Sequence, residues 1–175
     1  LSTGRPTDRV AHTGGDIARL SLMERDIVLA QARASAATGL SQTLSGMQTA
    51  LAGIEALRAS LADQVVSVNT ASTGLDIART SDAGSAAFRD MVTQLNVTFA
   101  GASLFAGTAT DSPALADADV MLASLRAAAT GSVSASDVIA AVDTWFDDPA
   151  GGFATIGYLG DTGAPIARTI DAGVT

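Results

Sequence analysis

From Asp16 to Ser72 the chain contains no proline, and Leu40, Leu44, Met47, Leu51, Ile54, Leu61, Val65 and Val68 recur there at alternating steps of four and three residues. That spacing lays one apolar stripe along a helix. Arg58 falls on a seam position, where its long stem still covers apolar surface. Upstream, Ile17, Leu20, Met23 and Ile27 continue an apolar face, with a change of register around Ala30–Ala37. Unbroken, such a helix would be roughly 80 Å long at 1.5 Å per residue. A helix of that length with one narrow stripe is not stable alone in water, so the pattern demands partner helices. Leu44, Leu51 and Leu61 are expected to face them, and Gln48, Glu55 and Asp63 to face water.

Gly39, Gly46 and Gly53 recur every seven residues, each one position before a stripe residue. An interior glycine costs a helix on the order of 1 kcal/mol against alanine. Two readings stand: the glycines admit a second helix or a neighbouring subunit, or they are tolerated drift.

Thr73-Gly74 predicts a turn, after which a second, antiparallel helix is expected from Ser81 or Asp82 to about Phe99. Its cap would come from Thr80-Ser81-Asp82, and its apolar face from Phe88, Met91, Val92, Leu95 and Phe99. Gly101, Leu104, Phe105 and Gly107 then mark the end of the helical pattern, the glycines supplying backbone angles closed to other residues. Ser112-Pro113 reads as a cap and first helical position. Charge shifts at the same place: residues 34–107 carry three Arg against five acids, and residues 108–175 carry two Arg against nine Asp. Pro113–Ala129 and Asp137–Phe146 predict two short helices, and Asp147-Asp148-Pro149 breaks the chain. Thr155–Leu159 and Ala164–Ile170 predict a strand pair. The expected fold is therefore mainly α: long antiparallel helices forming a rod-like coiled-coil bundle over 1–107. A small acidic α+β module with a β-hairpin follows over 108–175.

Chemistry-bearing patterns are sparse. The chain has no Cys and no Lys, which excludes a thiolate metal site, and its single histidine, His12, sits in a Gly/Thr-rich loop and reads as exposed and inert rather than as a metal ligand or triad base. Asp147-Asp148 lacks the alternating oxygen ligands and closing Glu of a calcium loop. Asn96-Val97-Thr98 matches a glycosylation sequon by chance, and Trp145-Phe146 reads as core. The glycines near 101–107 and 160–163 lack the lysine of a phosphate loop. No catalytic residue, cofactor or metal is expected. A net charge of −8 disfavours nucleic acid and anionic lipid, and no apolar run reaches the roughly 20 residues of a membrane helix.

Asn96 followed by Gly101-Ala-Ser-Leu104-Phe105-Ala-Gly107-Thr108-Ala-Thr110-Asp111-Ser-Pro113 resembles the flagellar hook-associated proteins of the hook–filament junction, which are relatives of flagellin. The opening Leu1-Ser2-Thr3-Gly4-Arg5 is similar to the segment before that family's first long helix, and Tyr158-Leu159-Gly160-Asp161 with Ile170 and Gly173 to its late strand region. The three matches fall in family order. Pro6–Asp16 departs from the Pro-Ser-Asp-Asp-Pro type of turn usual there. The resemblance implies a structural, non-enzymatic subunit joining hook to filament. It implies an extracellular place on the bacterial flagellum, reached by export without a cleaved signal peptide. The partners so implied are neighbouring copies, another hook-associated protein, flagellin and an export chaperone. It also implies that this is a fragment or a chain whose disordered ends are left out, the family beginning before Leu1 and continuing past Thr175 into a long helix. A flagellin-type filament subunit is the nearest alternative, and a coiled-coil adaptor hairpin the alternative from another class.

Overall fold

The computed structural model of the chain describes residues 17–69 and 71–163. They fall into two compact units, one holding the described residues up to Gln42 and the other those from Thr43 onward. The described helices are α1 (Ile17–Ser67), α2 (Gly74–Leu95), α3 (Ala118–Ala128) and α4 (Ala135–Asp147). Strands β1 (Thr98–Phe99) and β2 (Ala102–Ser103) form an antiparallel pair, and Phe153–Gly157 is a π-helical turn. The fold is mainly α with a small sheet.

In the first unit, residues 17–42 of α1 carry apolar side chains on more than one side. Leu22, Met23, Ile27, Val28 and Leu29 are all close to half exposed or more. At 100° per residue, Met23 and Ile27 lie on one face while Leu22 and Leu29 lie on another.

The second unit begins with residues 43–67 of α1, which run antiparallel to α2. The loop between them is held by Asn69, whose side chain accepts from the Ala71 N–H at 2.8 Å and whose backbone N–H donates to Ser72 Oγ at 2.9 Å. Helix α2 starts seven residues earlier than the Thr80-Ser81-Asp82 cap implied. Thr73 and Asp76 form a reciprocal capping box, which satisfies two orphan backbone donors at once. Thr80 instead turns its hydroxyl back onto the Asp76 carbonyl inside the helix at 3.0 Å. Ala50, on the face of α1 toward α2, is buried.

Helix α2 stops at Leu95, four residues before the expected end, because the chain enters a tight hairpin. Phe99 pairs with Ala102, and the two residues between them, Ala100 (φ 51°) and Gly101 (φ 82°), both take positive φ. This is the arrangement of a type I′ turn, for which Asn-Gly is the favoured pair. Alanine in that region costs roughly 1–2 kcal/mol. Ala100→Asn is therefore expected to stabilise the protein by about 1 kcal/mol. Equilibrium urea unfolding checks this, and an unchanged or lower midpoint would count against the turn assignment.

Beyond the hairpin, one hydrophobic cluster gathers Val92, Ala106, Ala114, Leu115, Ala118, Met121 and Trp145, flanked by Phe88, Leu95, Phe105, Leu125, Phe153 and Tyr158. The division expected at residue 107 thus falls inside a single core, since α2 supplies one wall and α3 and α4 the other. Three of the buried members are alanines, which leaves Leu115, Met121 and Trp145 to fill the space. Met121 is the largest side chain wholly buried among the described residues. Trp145 stacks edge-on against Phe146, with ring centroids 4.7 Å apart, and donates its indole N–H to Ser124 Oγ at 3.0 Å.

Two expectations about strands are corrected. Thr155–Leu159 is no strand: residues 153–157 wind into the π-helical turn, and only Tyr158 makes an isolated bridge, to Leu115. Gly152 permits this, because a Cβ there would fall on the Trp145 indole. The hairpin lies at 98–103 rather than in the C-terminal module, and Ala164–Ile170 is outside the described residues. Helix α4 was anticipated to within two residues at each end, whereas α3 begins five residues later than expected, and Ser112-Pro113 lies in a turn and is not its cap. Asp117 caps α3, and a Ser134–Asp137 capping box starts α4.

Candidate interaction surfaces

The eight stripe residues do not share one environment. Met47, Ile54 and Leu61 are partly buried on the α2 side of α1, as is Val68 just past the helix end; Leu40, in the first unit, is also partly buried. Leu44, Leu51 and Val65 are each about half exposed. These three, with Arg58, stand at seven-residue intervals and form a ridge along one flank of α1. Arg58 contacts Glu55 at 2.9 Å, both side chains being about two-thirds exposed. Such a pair stabilises a fold little.

The glycine repeat divides in the same way. A Cβ at Gly46 would stand 3.1 Å from Leu104 Cδ1, and one at Gly53 would stand 3.3 Å from the Gln94 amide, whereas one at Gly39 would meet nothing within 4 Å. Gly46 and Gly53 therefore serve close approach within the chain. Beside Gly53 an open groove of about 400 Å³ runs between the helices, walled by Ala56 and Ser60 on α1 and by Asp90, Thr93 and Gln94 on α2.

Residues 96–108 and 158–161, which carry two of the three sequence matches, lie against each other. The Asn96 amide reads both backbone groups of Leu115, accepting its N–H at 2.8 Å and donating to its carbonyl at 3.0 Å. Tyr158 donates its hydroxyl to the Phe105 carbonyl at 3.2 Å, and the Asp161 N–H donates to the Ala106 carbonyl at 3.0 Å. Thr108 donates to the Asp161 carboxylate. Gly107 (φ 63°) makes the approach possible, because a Cβ would come within 2.6 Å of the Asp161 carbonyl. Leu104 is buried, Phe105 is partly so, and Gly101 forms the hairpin turn. Sequence reasoning treated these residues as an exit from a helix. Their role as a latch between distant segments depends on a 53-residue separation that local patterns do not reveal.

The Thr108 hydroxyl, and then the Gly163 N–H, hold Asp161 below the usual carboxylate range. A depressed carboxylate contributes stability above its unfolded pKa, near 3.9, and loses it as pH falls through the lower folded value. Thr73 and Ser134 depress Asp76 and Asp137 in the same direction. Stability is thus expected to decline below about pH 4. In Thr108→Val that decline should be smaller, and denaturant midpoints measured between neutral and strongly acid pH would show it. Identical declines in both proteins would remove Asp161 from the account.

Among the described residues, no group of three or more His, Cys, Asp or Glu is gathered to hold a metal, and no helix is long and apolar enough to cross a membrane. His12 lies outside the described residues. Asp147 ends α4, and the Asp148 carboxylate accepts the Ala150 N–H at 2.7 Å, so this acidic pair shapes a turn. Comparison of the chain with known protein families, with curated proteins and with solved structures finds no match.

Proposed function

We propose that the protein is a structural subunit that acts by helical self-assembly, and specifically a hook-associated protein of the bacterial flagellar junction. The observation that carries the assembly reading is the run of exposed apolar side chains on α1: Leu22, Met23, Ile27, Val28 and Leu29, then Leu44, Leu51 and Val65. Large apolar side chains left exposed in such numbers point to an interaction site. A helix apolar on several sides is one that neighbours enclose. In this reading residues of α1 form the rod-like coiled-coil bundle with further helices, and the acidic segment 108–163 is turned outward. The flagellar assignment rests on the sequence motifs, with other copies, a second hook-associated protein, flagellin and an export chaperone as partners. The place of action is outside the cell, and no catalysis or cofactor is involved. A flagellin-type filament subunit would use the same α1 surface.

Sedimentation of the purified protein over a concentration series tests the assembly reading, which expects reversible growth in mass. Binding to isolated hook ends, compared with binding to filament ends, tests the junction assignment. Equal indifference to both would remove the flagellar assignment while leaving self-assembly intact.

A further inference from the structure

We infer that copies of this chain associate side by side and parallel, the Leu44–Leu51–Arg58–Val65 ridge of one copy seating in the Gly53–Ala56–Ser60 groove of the next. This rests on the self-assembly reading and specifies its contact. Ridge and groove belong to the same helix but to opposite flanks. Leu44 and Gly53 are nine residues apart, as are Leu51 and Ser60, and nine steps of about 100° place them half a turn out of phase. Helix α2 packs on the face between. A protruding apolar row on one flank and a small-residue hollow of about 400 Å³ on the other are complementary in shape, as ridges and grooves of packed helices are.

Charge agrees with shape. The ridge carries one charged residue, Arg58, and the groove wall carries one, Asp90. Among the described residues, Arg58 is paired with an exposed neighbour on its own helix, Glu55. Gly53 faces Gln94, so Asp90, four residues earlier on the antiparallel helix, stands level with Leu57 and Arg58. A parallel neighbour at the same height therefore brings Arg58 to Asp90. Because the two surfaces differ, the contact is heterologous and repeats from copy to copy rather than closing a pair.

The chain lacks cysteine, so engineered thiols report the contact directly. Ala62 lies on the ridge between Arg58 and Val65, and Ser60 lies in the groove; both are exposed. Full-length Ala62→Cys and Ser60→Cys proteins, mixed under mild oxidation, should form a disulfide between the two variants, while neither alone should dimerise. Arg58→Asp should abolish that cross-link with helicity unchanged, and adding Asp90→Arg should restore it. Wild-type protein that gains mass in sedimentation while the mixed cross-link fails, or while Ala62→Cys links to itself, overturns the ridge-and-groove contact and leaves self-assembly standing. Loss on Arg58→Asp without rescue by Asp90→Arg overturns the charge pairing. Wild-type protein that stays monomeric at every concentration overturns the assembly reading, and this contact with it.

Discussion

Replacing Trp145 with alanine is expected to destabilise the protein by about 3–5 kcal/mol, the usual cost of removing a large buried aromatic. The reason is local. Its neighbours Ala106, Ala114 and Ala118 are small and cannot close the space. Met121 would lose the ring, and Ser124 the indole N–H that its hydroxyl accepts. Such a loss consumes much of the 5–15 kcal/mol by which a domain is stable. Phe146→Ala should cost less, because that ring is partly exposed. Urea unfolding followed by circular dichroism reads both variants without relying on tryptophan emission. A Trp145→Ala loss of under about 1 kcal/mol, below the range for buried aromatics, would mean that the cluster is not the core.

Ending the chain after Gly107 should be more damaging still. The fragment keeps the sequences of α1 and α2, but it removes Ala114, Leu115, Ala118, Met121 and Trp145 from the cluster that covers Val92. Phe88 and Leu95 lose their packing, and the Asn96 amide loses Leu115. The expected result is a broad thermal transition with reduced helicity, in place of a cooperative one. A fragment that melts as sharply and as high as the full chain would show that residue 107 does separate two folding units.

The helices were legible wherever a local chemical signal sets them. The expected Asp137–Phe146 helix, with the break at Asp147-Asp148-Pro149, placed α4 within a residue or two, and the Ser134–Asp137 capping box that starts it is a local signal of the same kind. The start of α2 was equally local, since Thr73-x-x-Asp76 is itself a capping signature, but a second plausible cap at Thr80 masked it. The π-helical turn was not legible, because its cause is Gly152 meeting an indole seven positions earlier in the chain. The ridge was read as half of a single seam. Four-three spacing identifies which residues share a helix face, but it cannot say which edge of that face α2 covers. That choice follows from Gly46 and Gly53, whose missing side chains draw Leu104 and Gln94 onto one edge and leave Leu44, Leu51 and Val65 on the other.

The latch at Tyr158–Asp161 has a consequence in time. Phe88 emerges from synthesis long before Trp145 and Tyr158, so the face of α2 that they cover is bare for roughly 3–14 s at ordinary elongation rates. During that interval the sequences of α1 and α2 are made before the interior they share with the later residues is sealed. The pairing of α1 with α2 is thus finished only by residues that arrive more than fifty positions later in the chain.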